Sequence, residues 1–200
     1  MTTNDSSPQT FSTRLRKWLA SKEPKTLGDL YEEFDDKSFA LFFLILMAIP
    51  ALPLPTGGVT HIFEIITMLL ALEMVAGRRT VWLSRALLRR PLGKTLQDRG
   101  LPKLITYIQK AERFSRPRLS GWLRNREFLR LVGLLVLVLT IAAFIAPPFS
   151  GLDTLPSLGV VFVAFALMFE DIILLLIGLL CGLVGVSLMV GLGSVLVRLF

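Results

Sequence analysis

The chain has 200 residues, 53% of them apolar, a mean hydropathy of +0.65 and a net charge of +7. Only 18% of the residues are charged, and the apolar residues lie in long blocks, which predicts a membrane protein rather than a soluble domain. One cysteine and one histidine exclude an intrachain disulfide and any metal centre built from several such ligands. There is no P-loop and no Gly-x-Ser-x-Gly motif, so we expect a non-enzymatic protein without a cofactor.

Residues 1–38 are predicted to be a cytoplasmic tail with short amphipathic helices. Phe11, Leu15 and Trp18 recur at helical spacing over residues 11–19, with basic residues beside them. Such a helix could lie on a membrane surface or pack under a helical bundle, and both alternatives are open. A second short helix is expected over residues 26–37, capped by Thr26.

Residues 39–77 form the first predicted membrane hairpin. Two apolar arms, 39–54 and 59–76, flank a break that is rich in proline and glycine. As helices they would reach about 24 and 27 Å, short of the roughly 30 Å hydrocarbon core. The hairpin could therefore span a thin bilayer or be a re-entrant pair of half-helices, an arrangement that some transporters use for substrate sites.

The second arm carries a polar face. Thr60, Glu64 and Thr67 follow one another at i, i+4 and i+7, with His61 beside them. A carboxylate at the centre of a membrane helix costs about 2.5–3.5 kcal/mol, so Glu64 should face protein or water. One hypothesis is an ion or transport site, with Glu64 as carrier and His61 as relay. The alternative is a packing stripe with a hydrated Glu64. The proposed site also includes both breaks, at Pro53, Pro55, Pro147 and Pro148.

Residues 78–127 form a basic segment with fourteen Lys and Arg residues against three acidic ones. Leu101, Leu104, Ile105 and Ile108 mark an amphipathic helix within it. We predict cytoplasmic, interfacial helices that bind anionic lipid headgroups rather than nucleic acid. An anionic polysaccharide or a polyphosphorylated lipid is a further possible ligand. The candidate anion-binding residues are Arg78, Arg79, Arg85, Arg89 and Arg90.

Residues 128–200 form the second predicted hairpin and a C-terminal membrane helix. Residues 128–146 are the clearest span, and the following apolar run of 158–197 is long enough to require a turn. Glu170 and Asp171 are the natural corner, either in water or as a carboxylate pair in the bundle core. Gly178-x-x-x-Gly182 indicates close helix packing, within the chain or across a homodimer.

Two further features concern ion pairing and symmetry. Glu73 lies out of phase with Glu64 and next to a basic exit, which favours an interfacial ion pair. The order of apolar arm, proline break, apolar arm and charged exit occurs twice, with Pro55 and Pro148 separated by 93 positions. The predicted fold is therefore all-α: a polytopic helical membrane protein of two Pro/Gly-broken hairpins, an internal repeat joined by basic interfacial helices.

Several short runs resemble a known family. They are Leu27-Gly28-Asp29-Leu30, Pro50-x-x-Pro53-Leu54-Pro55, Leu70-Ala71-Leu72-Glu73-Met74, Gly77-Arg78-Arg79 and Trp82-Leu83. Over about residues 26–197 the chain resembles the ExoD (exopolysaccharide synthesis D) family of bacterial membrane proteins, although that family usually has Gln at the position of Glu73. The resemblance implies a multi-pass inner-membrane protein linked to exopolysaccharide synthesis or export, and it implies no catalytic residue.

Three functions stay open on this basis. The protein could be a small transporter for exopolysaccharide export, with its site at the helix breaks. It could be a transporter coupled to protons, cations or lipids whose effect on polysaccharide is indirect. It could also be a scaffold without transport activity, whose basic segment docks proteins of polysaccharide synthesis or export.

Overall fold

Among the residues that it describes, the computed structural model has seven helices of ten residues or more and no strand. The described residues are 11–21, 26, 28–29, 32, 37–52, 60–78, 80–81, 98, 101–118, 121–123, 125–147 and 150–199. Seven of the candidate site residues lie outside them: Pro53, Pro55, Arg79, Arg85, Arg89, Arg90 and Pro148. The helices are α1 (Phe11–Ala20), α2 (Ser38–Met47), α3 (Thr60–Val75), α4 (Leu101–Phe114), α5 (Arg126–Ile145), α6 (Thr154–Phe169) and α7 (Ile172–Leu199).

The chain divides into two units. The first consists of Met1–Leu30 and Ser84–Phe114, and in it α1 packs on α4. Both helices are amphipathic, and their apolar faces form the core with Leu15, Leu101, Ile105 and Ile108 buried. The backbone N–H of Ser12 donates to Glu112 Oε1 at 2.9 Å, which ties the start of α1 to the end of α4. The expected amphipathic helices over 11–19 and 101–108 are therefore confirmed.

The second unit, Tyr31–Leu83 with Ser115–Phe200, holds the apolar helices. Helices α2, α3, α5 and α6 form a ring in which each packs on the next and α6 closes against α2. Helix α7 lies against α6 and touches α5. Helix α6 is apolar nearly all round and is buried along most of its length, as expected of a helix with neighbours on several sides.

Helices α3 and α6 are alike in length and in the way they end. Each has sixteen residues and is followed by a residue in the left-handed region, Gly77 at φ 88° and Glu170 at φ 58°. After each of these residues the next backbone N–H reaches back five positions, from Arg78 to Glu73 and from Asp171 to Ala166, both at 3.1 Å. This is the Schellman termination, which satisfies carbonyls that a helix end would otherwise leave unpaired.

The corner at Glu170 and Asp171 is confirmed, because α6 ends at Phe169 and α7 begins at Ile172. From there α7 runs to Leu199 without a break, so the C-terminal apolar stretch is one continuous helix. Helix α2 is shorter than the arm predicted over 39–54, because regular helix ends at Met47 and gives way to turns.

Close approach of α6 and α7 depends on glycine. A Cβ added to Gly178 would lie 2.8 Å from the Gly159 carbonyl oxygen, and one added to Gly159 would lie 2.9 Å from the Gly178 carbonyl oxygen. Both distances are to backbone, which cannot move aside without separating the helices. The small-residue pattern at Gly178 and Gly182 is thus used within the chain, against α6 and Leu139 of α5.

We predict that Gly178→Ala lowers the thermal midpoint of the detergent-solubilised protein, whereas Gly191→Ala does not. The first adds a methyl group against backbone, and overpacking of this kind costs about 1–3 kcal/mol. The second is a matched control, since a Cβ at Gly191 meets nothing within 4 Å. Equal midpoints for the two variants would show that the α6–α7 approach is not tight.

Candidate functional site

Glu64 is the most deeply buried ionisable side chain among the described residues, with 0% of its side chain exposed. It lies one turn into α3, on the face that also buries Thr60 and Thr67. Its Oε2 is 2.7 Å from His61 Nδ1, and its Oε1 is buried with no hydrogen-bond partner among the described residues. Burial of a charged carboxylate is costly unless the group is paired, and His61 is the partner of Glu64 among the described residues.

His61 connects this carboxylate to the outside of the unit. Its side chain is 31% exposed, and its ring packs edge-on against Phe144 of α5 with the ring centroids 4.9 Å apart. The imidazole thus lies between the buried Glu64 carboxylate and the surface of the unit, where it can exchange protons with water. An imidazole and a carboxylate that are 2.7 Å apart can pass one proton between them.

Buried hydroxyl groups are also present on the neighbouring helices α5 and α6. Thr140 of α5 and Ser157 of α6 are both fully buried. The Thr140 hydroxyl donates to the Val136 carbonyl, which leaves its lone pairs to accept. The hydroxyl oxygens of Thr154 and Ser157 are buried without a hydrogen-bond partner among the described residues. Asp153, just before α6, lies within electrostatic range of Glu64.

The opposite end of this unit, which we call the charged end, is organised around Asp171. This carboxylate accepts hydrogen bonds from the backbone N–H groups of Arg116 at 2.8 Å and Ile173 at 2.9 Å, and from Ser115 Oγ at 3.2 Å. The Arg118 guanidinium adds an ion pair at 3.3 Å. Asp171 therefore caps the start of α7 and fixes the segment before α5.

Burial alone would raise the pKa of Asp171, but its backbone and side-chain hydrogen bonds and the Arg118 charge outweigh burial and hold the pKa below its ordinary value. Folding thus favours the charged carboxylate. The resulting stabilisation is complete above the unfolded-state pKa, near 3.9, and is lost as the pH falls through the lower folded-state pKa.

We therefore predict that Asp171→Asn lowers the thermal midpoint at neutral pH and that its difference from the wild type shrinks below about pH 4. Asp171→Ala should be worse by about 0.5–2 kcal/mol at every pH, because it removes the cap as well as the charge. Thermal melts between neutral and acidic pH measure both effects. A gap between Asp171→Asn and wild type that stays constant with pH would contradict the charge argument.

The structure brings some of the predicted site residues together and separates others. Thr60, Glu64 and Thr67 share one buried face with His61 beside them, as the periodicity predicts. Glu170 and Asp171 do not form a carboxylate pair, since Glu170 lies 3.5 Å from Lys37 and Asp171 pairs with Arg118. These two residues and Arg78 belong to the charged end, whereas His61 and Phe144 mark the other end.

Three buried polar groups were not predicted from the sequence: the hydroxyl groups of Thr140, Thr154 and Ser157. A usable signal existed for two of them. Thr140 interrupts an apolar run of nineteen residues, 128–146. Ser157 follows Glu64 by 93 positions, the same separation as between Pro55 and Pro148.

Comparison with known proteins identifies relatives but no solved structure. The family described as "Exopolysaccharide synthesis, ExoD" matches residues 11–191. A curated relative from Synechocystis sp., named "Uncharacterized protein slr1875", is 28% identical over 137 residues, which is 68% of this chain and 63% of that protein. The match thus spans less than two thirds of the relative's length. No solved structure is significantly similar.

Proposed function

This chain belongs to the ExoD family, whose members act in exopolysaccharide synthesis, and on that premise we propose that it is a multi-pass inner-membrane transporter. In this proposal α2, α3, α5, α6 and α7 lie in the membrane, and the Glu64–His61 pair is a proton site that drives movement of the cargo. The protein is not an enzyme. It supports exopolysaccharide synthesis or export by transport.

The membrane location rests first on the polarity of α3. This helix buries Thr60, Glu64 and Thr67 and exposes large apolar side chains on its opposite face, among them Ile62 at 61% and Leu69 at 58%. A helix in water has the reverse arrangement, with polar groups outside. Ionisable groups inside and apolar groups outside are typical of a helix that faces lipid.

Helices α5 and α7 support the same location. Each contains an apolar stretch long enough to cross a bilayer, Arg126–Ile145 and Ile172–Leu192. Most of each stretch is not buried within the protein, unlike the core helix of a soluble domain. Exposed leucine, isoleucine and valine side chains continue from α5 along α7, and so large an apolar surface requires a membrane or a partner.

The orientation follows from charge. Basic residues gather at the charged end, and cytoplasmic ends of membrane helices are enriched in Lys and Arg. With this end in the cytoplasm, both hairpins start and finish inside, and α7 carries the chain to the other side. The basic residues concerned are Lys37, Arg78, Arg116, Arg118, Arg126 and Arg130.

An internal repeat is supported by the helix ends. Gly77 and Glu170, the left-handed residues after α3 and α6, are 93 positions apart, as are Pro55 and Pro148. Glu64 and Ser157 each precede their left-handed residue by thirteen positions, and both are fully buried. Each half thus buries a polar side chain thirteen positions before its left-handed residue, and in this proposal both side chains contribute to the site.

The proton path uses both nitrogens of His61. A proton from water binds Nε2 of the partly exposed ring, and the proton on Nδ1 passes to Glu64 Oε2 across 2.7 Å. Protonation of Glu64 removes its negative charge from the interior of the bundle. This lowers the free-energy cost of keeping the side chain buried near the helix breaks. Coupling of that change to cargo movement is the proposed transport mechanism.

The proposed topology predicts the labelling pattern of two single-cysteine variants in a Cys181→Ser background. Ser150→Cys, between α5 and α6, should react with a membrane-impermeant maleimide added to intact spheroplasts. Gly121→Cys, before α5, should react only after permeabilisation. Both positions are exposed, so accessibility to solvent does not differ between them. Labelling of both residues from outside would exclude this topology.

The transport hypothesis predicts proton movement in proteoliposomes that Glu64→Gln abolishes. The wild-type protein should dissipate an imposed pH gradient, measured with pH-sensitive and potential-sensitive dyes. Glu127→Gln is the matched control, because it makes the same chemical change in a side chain that is 71% exposed. If neither the wild type nor the control moves protons under several gradients, the proton mechanism fails and a scaffold or a carrier of lipid-linked cargo becomes the better account.

A further inference from the structure

Helix α4 of the first unit exposes aromatic and basic side chains on the face that points away from α1. Its other face is apolar and packs on α1. Tyr107 and Phe114 are 60% and 86% exposed. They are seven residues apart, about 10 Å along the helix, so both project from the same side. We call this side the outer face of α4, and its exposed residues are Lys103, Thr106, Tyr107, Lys110, Arg113 and Phe114.

The outer face is positively charged and contains no carboxylate. Lys103 and Lys110 lie four residues before and three residues after Tyr107. Neither lysine forms an ion pair with any residue that the structure describes. The one acidic residue of α4, Glu112, is turned towards α1, where it accepts the backbone N–H of Ser12 at 2.9 Å. Helix α4 therefore separates its charges, with the carboxylate inside the unit and the basic groups outside.

The whole first unit carries the same excess of positive charge. Its two segments, 1–30 and 84–114, contain thirteen Lys and Arg residues against five Asp and Glu residues, which is a formal charge of +8. The complete chain carries +7, so the positive excess belongs to this unit. A surface of this charge attracts anionic partners and repels cationic ones.

The exposed rings favour a lipid surface as the anionic partner. A phenylalanine that is exposed to water gains free energy when it enters the boundary between headgroups and acyl chains. Tyrosine prefers the same depth, because its ring is apolar and its hydroxyl group stays wet. The neighbouring lysines can lay their apolar stems along this boundary and reach the phosphates with their ammonium groups.

Local concentration favours the same partner over a nucleic acid. Cations and aromatic rings would also suit a single-stranded nucleic acid. A chain that is anchored in a bilayer, however, meets the anionic lipid surface at a high effective concentration, whereas a nucleic acid has to be recruited from solution.

We propose that the outer face of α4 docks on the anionic cytoplasmic surface of the membrane. In the docked state Tyr107 and Phe114 insert at the headgroup level, and the basic side chains of this face bind lipid phosphates. Helix α1 packs on the opposite face of α4 and therefore stays in water. This inference rests on the membrane location proposed above and does not depend on proton transport.

The test measures the environment of a fluorescent label on the full-length protein in nanodiscs. Thr106→Cys, in a Cys181→Ser background, places the fluorophore NBD on the outer face without removing a basic or aromatic side chain. Ala20→Cys is the matched control, since it replaces an exposed small residue of α1. In nanodiscs that contain phosphatidylglycerol, the label at position 106 should be shielded from the neutral quencher acrylamide and the label at position 20 should not. In phosphatidylcholine nanodiscs both labels should be quenched.

Charge substitutions test the contribution of the lysines. Lys103→Gln combined with Lys110→Gln should lower the ratio of shielded to unshielded label at position 106 about 25-fold, because each basic side chain near an anionic leaflet contributes about fivefold. Arg16→Gln combined with Lys17→Gln is the matched control, because it removes the same charge from exposed positions of α1 and should leave the ratio unchanged.

Several results would overturn the proposal. They are a quenched label at position 106 in phosphatidylglycerol nanodiscs, equal shielding of the two labels, and equal effects of the two double substitutions. Shielding by an added single-stranded oligonucleotide, without a response to phosphatidylglycerol, would assign the outer face to nucleic acid instead. Failure of the protein to enter nanodiscs would refute the membrane location and this proposal with it, whereas a quenched label on an incorporated protein would refute the docking alone.

Discussion

The need to bury a carboxylate inside an apolar bundle governs the architecture of the second unit. Glu64 has no exposed surface, and it lies in a helix whose outward face is isoleucine and leucine. Neither lipid nor the packed core can stabilise such a group, so a partner must come from the protein. His61 is that partner at 2.7 Å, and Phe144 of α5 holds its ring. The polar face of α3 is accordingly turned inward, and the His61–Phe144 contact lies between α3 and α5.

The remaining helices are positioned by backbone contacts and helix ends rather than by further polar groups in the core. Glycines at 159 and 178 let α6 and α7 approach until their backbones touch. Schellman turns end α3 and α6 at the charged end, where Lys37, Arg118 and Asp171 join the helix ends through ion pairs and hydrogen bonds. The two ends of the unit therefore differ, because one end is fixed by ion pairs and hydrogen bonds and the other contains the Glu64–His61 pair.

Much of this could be predicted from the sequence, because helix periodicity and apolar blocks are local signals. The shared face of Thr60, Glu64 and Thr67 and the corner at Glu170–Asp171 follow directly from residue spacing. Ser157 and Lys37 were missed for different reasons. Ser157 requires the two halves to be aligned at an offset of 93, and Lys37 gains its role only when α6 ends beside the start of α2. The C-terminal helix was predicted, but the exact role of its glycines was not, because their close contacts with α6 and α5 depend on the packing of three helices.

In the proposed mechanism Glu64 exchanges a proton with water through His61. Infrared difference spectroscopy of the reconstituted protein during a pH change observes carboxyl protonation directly. We expect a carboxylic acid carbonyl band that is present in the wild type and in Glu127→Gln and absent in Glu64→Gln. It further predicts that replacing His61 with Phe slows or removes this band. Identical difference spectra for the wild type and Glu64→Gln would contradict the account, since Glu64 would then not titrate.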